Sequence, residues 1–238
     1  MIAALAFSML AAPAQPGCSP DAMVAVNRAA ALAAEFDLAG ASAQLEAESL
    51  GGCETAQVAI RYARGLMAAQ EAFRQGGSFE SLAPVRQAIA GLDAISKGRP
   101  GAATVARLVL QAASAAAQSE LAEMRLYLES AIQMESLQRS AGQPGAPLVS
   151  AGETAGELWL QLHRYDDARH AYVEARAQTG GTARVLAGIG RAAQRLRDTD
   201  TACAAFRELL ESWGARPARP SQIAEAQASV ADCVPPGR

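Results

Sequence analysis

Apolar residues recur every three or four positions along most of this chain. Leu82, Val85, Ile89, Leu92 and Ile95 form one such series, and Leu121, Met124, Leu128 and Ala131 another. That spacing places each series on one face of a helix. Strand-type runs of Val, Ile, Thr and aromatic residues are nearly absent. The spans 21–83, 101–143 and 148–216 contain no proline, as helix interiors require. Gly51-Gly52, Gly76-Gly77 and Gly180-Gly181 supply further stops. The pattern predicts helices near 20–35, 38–50, 54–75, 80–96, 102–117, 119–139, 149–162, 165–178, 182–196, 199–213 and 219–232. Ser81, followed three positions later by Pro84, reads as a helix start. Short turns between so many helices predict an all-α fold of antiparallel hairpins stacked in series.

Between Gly152 and Trp213 the sequence repeats itself. A shift of 34 residues carries Gly156 onto Gly190, Asp166 onto Asp200, Ala168 onto Ala202 and Tyr172 onto Phe206. In Arg164-Tyr165-Asp166-Asp167-Ala168-Arg169-His170-Ala171-Tyr172 a turn leads into a helix with a small residue and, four positions later, an aromatic. Hairpin helices meet where side chains are smallest, and the aromatic fills the gap to the next hairpin. These residues resemble the tetratricopeptide repeat, clearest over 149–216, with a degenerate unit at 102–137 built on Ala112, Leu128 and Ala131. The resemblance implies hairpins stacked into a right-handed superhelix, an α-solenoid. It implies an extended concave face lined by the helices near 102–117, 149–162 and 182–196. It also implies a scaffold that binds a protein or peptide and does not catalyse. Arg184, Arg191 and Gln194 are the candidate anchors on that face. The family's motifs specify packing and no ligand, so no cofactor is expected. Two other readings stay open: a helical enzyme acting on cell-envelope polymers, and a structural subunit of an envelope complex.

Ile2 to Ala12 is an apolar run with the length of a signal-peptide core, and Ala12-Pro13-Ala14 gives an A-x-A cleavage pattern, although no Lys or Arg precedes the run. The expectation is export to the periplasm or beyond, with 1–14 removed. The rest divides into degenerate hairpins at 18–139, a Pro/Gly loop at 140–148, the two clear repeats at 149–216, and a capping helix with its tail at 217–238. Cysteines stand only near the two ends of that region, at Cys18, Cys53, Cys203 and Cys233. Antiparallel packing would bring Cys18 to Cys53 and Cys203 to Cys233. Each bridge would close a loop of about 30 to 35 residues, corresponding to roughly 3–4 kcal/mol in a chain-entropy account. The alternative is four buried thiols acting as small apolar residues.

Composition narrows the function classes. Half the residues are apolar, 5% are aromatic, and alanine dominates the remainder, as tightly packed helices require. Net charge is −3 and Lys97 is the only lysine, so no nucleic-acid footprint is present. Gly188-Ile189-Gly190-Arg191-Ala192-Ala193 fits a dinucleotide fingerprint in letters only, since it falls inside a predicted helix. Asp198-Thr199-Asp200 reads as a helix cap sooner than a metal motif. His163 and His170 lack zinc-ligand spacing. Asp166, Asp167 and Glu174 read as charges near a helix start. Tyr62, Phe73 and Tyr127 could line a groove but read first as core.

Overall fold

A computed structural model of the chain describes residues 17–47, 52–143, 145–146, 148–216 and 220–233. The proposed leader at 1–14, Pro144 and Pro147 of the loop, and the tail from 234 onward lie outside them. The described residues are all-helical, with no strand: α1 (Pro20–Ala34), α2 (Leu38–Ala47), α3 (Glu54–Arg74), α4 (Ala83–Ser96), α5 (Ala102–Ala117) and α6 (Leu121–Ser140). Then follow α7 (Ala151–Gln161), α8 (Tyr165–Thr179), α9 (Ala183–Arg195), α10 (Thr199–Trp213) and α11 (Ser221–Ala231). Each helix packs on its sequence neighbour, and α3, α5, α7 and α9 also touch in that order, forming a continuous row. No described helix is long and apolar enough to cross a membrane.

Local chemistry sets the ends. The Ser19 hydroxyl caps α1 by accepting from Ala22 N at 3.2 Å. Ser150 does the same for α7 through Glu153 N at 3.1 Å, and Thr182 for α9 through Val185 N at 3.3 Å. Asp198 caps α10, accepting from Thr201 N at 3.2 Å. Ser81 does not open α4. Leu82 is its N-cap, Pro84 sits in the first turn, and Ser81 instead bonds back to Ser78. With Pro84 supplying a fixed φ, the helix starts without a side-chain cap.

The helices α1, α3, α5, α7 and α9 all end alike. The residue after the last turn is left-handed: Phe36, Gly76, Ser119, His163 and Arg197. The next amide reaches back to a carbonyl of the last turn, as in Asp37 N to Leu32 O, Gly77 N to Ala72 O, and Glu120 N to Ala115 O. Arg164 N to Trp159 O and Asp198 N to Ala193 O complete the set, each at 2.9 Å. This is the Schellman closure, which satisfies carbonyls that a helix end leaves orphaned. Around each such turn one spacing recurs along the chain, a small residue before it and a large apolar one after it: Ala29 and Leu45, Ala69 and Val85, Ala112 and Leu128, Gly156 and Tyr172, Gly190 and Phe206, the last two pairs in direct contact. All five large residues are buried. The same turn and spacing therefore recur in the first half of the chain, where the sequence shows generic hairpins up to 96 and a degenerate unit at 102–137.

The cysteines pair as Cys18–Cys53 and Cys203–Cys233, with Cα separations of 4.3 and 6.0 Å. The first bridge fastens the start of α1 to the N-cap of α3, and the second fastens the first turn of α10 to the end of α11.

Candidate functional site

Close packing joins α7, α8 and α9. A Cβ added at Gly156 would stand 2.7 Å from the Tyr172 ring, and one at Gly188 would overlap the same ring from the other side. Tyr172 of α8 is thus gripped by bare backbone of α7 and α9, while its hydroxyl donates to Glu157 at 3.1 Å. Burial, and then the Glu157 carboxylate, push its phenol well above the ordinary range. Gly190 meets Phe206 as Gly156 meets Tyr172, with a Cβ there 2.5 Å from the ring. Ala168 and Ala202 are buried on α8 and α10. So Gly188 and Gly190, the fingerprint glycines, are packing surfaces inside a helix.

The anchors Arg184, Arg191 and Gln194 all lie on α9; the chain itself engages Arg191 and Gln194, while the buried Nε of Arg184 has no hydrogen-bond partner among the described residues. Arg191 binds Glu225 of α11, its Nε to Oε2 at 2.8 Å, and Gln194 Nε2 lies 3.4 Å from Ser229 Oγ. Arg184 and Arg191 share a cavity of about 140 Å³ with Glu157 and Tyr172, and the α1–α2 turn covers it through Phe36 and Leu38. Leu38 also lines, with Leu66, Leu158 and Arg184, a residual space of about 30 Å³ against α3 and α7. Phe36 packs on Trp213 of α10, ring centroids 6.2 Å apart, and Glu35 faces Arg216 at 3.5 Å. The sequence reading missed this: one face of the α3–α5–α7–α9 row is filled in its middle by the first hairpin's tip. Beyond the tip an open cavity of about 310 Å³ remains, lined by His163, Tyr165, Arg191, Gln194, Arg195 and Glu225.

The aromatics divide. Tyr62 is fully buried and its hydroxyl donates to Val149 O at 3.0 Å, bracing the start of α7. Phe73 borders the small space beneath Leu38, and Tyr127 is half-buried against the core. Two carboxylates are buried near the start of α7. Glu135 accepts from Ala146 N at 2.9 Å and Ala151 N at 3.0 Å and pairs with Arg139 at 2.9 Å. Glu153 accepts the Thr182 hydroxyl at 2.8 Å, and burial raises its pKa despite that bond. Neither lines an open cavity together with a nucleophile, and among the described residues no cluster of three metal-ligating side chains occurs.

A second opening lies on the opposite flank of α7. Arg125, Leu128, Glu129 and Ile132 of α6 face Asp166, Asp167, His170, Ala171 and Glu174 of α8 across about 430 Å³, with Ala155 and Trp159 of α7 as the floor. His170 pairs with Glu174 at 3.3 Å on its rim. The cleft closes at one end, where Arg139 Nη1 donates to Gln178 Oε1 at 2.6 Å.

Compared with known proteins, the chain matches no family model, no curated protein and no solved structure.

Proposed function

We propose that the chain is an exported, non-catalytic scaffold of tetratricopeptide-repeat type, which holds a protein or peptide partner on the concave face of an α-solenoid. The observation that carries this reading is the recurring hairpin. Five hairpins share one turn and one spacing of a small and a large buried residue, and a hairpin of this kind buries its apolar face only against a neighbour. The continuous row of α3, α5, α7 and α9 then forms the inner wall. The two disulfides fasten the terminal hairpins, the ones most prone to fray, and they point to an oxidising compartment. Together with the apolar run at 2–12, they support export.

The partner docks where the inner wall is uncovered, at the opening beside Gln194, Arg195 and His163. Arg195 is exposed, and no ion pair engages it among the described residues. A partner carboxylate or backbone carbonyl would meet it, while apolar contact with Leu160 supplies the rest.

The test is photo-crosslinking in the native envelope fraction with the probe at 194 or 195, and a second probe at Glu80 as control. One protein recovered in stoichiometric yield from 194 and 195, and absent from 80, supports the reading. Equal recovery from all three positions, or recovery of a small glycan alone, overturns it.

A further inference from the structure

The cleft between α6 and α8 has the shape and lining of a docking surface, and those features do not depend on the concave-face reading. Three helices each give it one stripe. On α6 the stripe is Arg125, Leu128, Glu129 and Ile132, spaced as one helix face. The apolar residues Leu128, Ile132, Ala155, Trp159 and Ala171 make the floor, and the charged residues stand at the rim. Leu121, one turn before Arg125 on the same stripe, leaves 41% of its surface exposed at the open end. A solvent-facing leucine beside an apolar trough is a feature that a partner would cover.

The shape selects a helix. The trough runs between two helices for the length of Arg125 to Ile132, about 10 Å or two helical turns. Its far end is shut by the Arg139–Gln178 bond, so a partner enters from the Leu121 side. The charge selects the sign of that helix. Of the rim carboxylates, Asp167 pairs with Arg164 at 2.9 Å and Asp166 with Arg169 at 3.5 Å, which leaves Glu129 and Glu174 against the lining guanidinium Arg125. Trp159 already carries cations on its face: Arg125 at 5.3 Å and Arg164 at 5.9 Å from the ring centroid. An acidic helix would be repelled here and a basic one drawn in.

We propose that this cleft seats a basic amphipathic helix of a protein partner, with its leucine-type face on Ile132 and Trp159 and its lysines or arginines between Glu129 and Glu174. The mode is helix-in-groove recognition with electrostatic selection.

The test uses the full chain and two labelled peptides, a short Leu/Lys sequence patterned as an amphipathic helix and its Leu/Glu counterpart, read by fluorescence anisotropy. The Lys peptide binds and the Glu peptide does not. Glu129→Lys with Glu174→Lys weakens the Lys peptide by about tenfold or more and admits the Glu peptide. A remote reversal of equal charge, Glu71→Lys with Glu80→Lys, leaves the Lys peptide's affinity within about twofold. All four positions are exposed, so an unchanged thermal melt confirms folding in both variants. Failure of the Lys peptide to bind overturns the proposal. So does an equal loss in the two double variants, which would mark attraction to net charge alone. Either failure leaves crosslinking at 194 and 195 untouched, so the two readings fall separately.

Discussion

The joint from α8 to α9 and the joint from α6 to α7 connect the same kind of elements in different ways. At the first, Tyr172 is pressed between Gly156 and Gly188, and Thr182 at the head of α9 donates to Glu153 on α7. At the second, Leu128 holds the place that Tyr172 holds, Ala112 stands for Gly156, and the helices touch far less. A longer connector fills the difference. Glu135 anchors it from α6, holding the amides of Ala146 and Ala151. One joint is closed by apolar shape and the other by a buried carboxylate on backbone. That contrast explains why the α6–α8 cleft opens beside the second joint only: polar anchoring through a loop fixes a helix at a distance, whereas a ring on bare backbone fixes it in contact.

The strongest way to break the contrast is Tyr172→Ala. It removes the ring that two helices share, and the expected loss is about 3–5 kcal/mol of stability by urea denaturation. Leu128→Ala, the matching change at the open joint, costs about 2–3 kcal/mol, because fewer groups close around it. If the two changes cost the same, the ring between the glycines adds nothing to the joint.

A smaller effect of opposite sign comes from the turns. Arg197 holds a left-handed φ of 62°, which costs a residue with a Cβ about 1 kcal/mol. Its side chain is exposed, so Arg197→Gly should stabilise the chain by up to about 1 kcal/mol, seen as a higher thermal midpoint. The same change at Gly76's counterpart Ser119, on the side of the open joint, should give a similar gain. A loss at either site would mean that the side chain contributes more than the turn costs.

Those turns also show what the sequence made legible. Helices could be read because apolar periodicity survives in Leu82 to Ile95 and in Leu121 to Ala131. The cysteine pairing could be read because antiparallel hairpins bring their ends together. The 34-residue spacing over 149–216 could be read because Gly and aromatic residues are conspicuous letters. The degenerate spacing of Ala112 and Leu128 is legible at 102–137, whereas Ala29 with Leu45 and Ala69 with Val85 keep the same spacing in letters that look like any helix core. Their turns are hidden too, since only Gly76 among the five left-handed positions is the residue that usually marks one. The filling of one face of the α3–α5–α7–α9 row could not be read at all. Phe36 meets Trp213 across most of the chain's length, and no local pattern records such a contact. The anchors Arg191 and Gln194 could be placed on α9, but Glu225 and Ser229, which engage them, lie on a helix after it.

The two buried carboxylates give the finest division between the joints. Glu135 accepts from two amides and forms an ion pair with Arg139. Glu135→Gln removes that charge, leaves Arg139 with a weaker partner, and should cost about 1–2 kcal/mol at neutral pH. Glu153 is a different case. Burial raises its folded pKa above the ordinary value of 4.5, with one hydroxyl and the Arg184 charge opposing. Above 4.5 the unfolded chain has released this proton while the native chain still holds it, so the native state binds more protons. Stability from this group is therefore lost as pH rises from that value through the folded pKa, and it stays lost at neutral pH. Glu153→Gln has no proton to exchange, and its amide oxygen can still accept from Thr182. The variant should match the native chain below pH 4.5 and exceed it at neutral pH by an amount on the order of 1 kcal/mol. Denaturation of both glutamine variants across that range separates the joints. If Glu153→Gln is also destabilising at neutral pH, its carboxylate is held as an ion by Arg184, and both joints are fastened by charge.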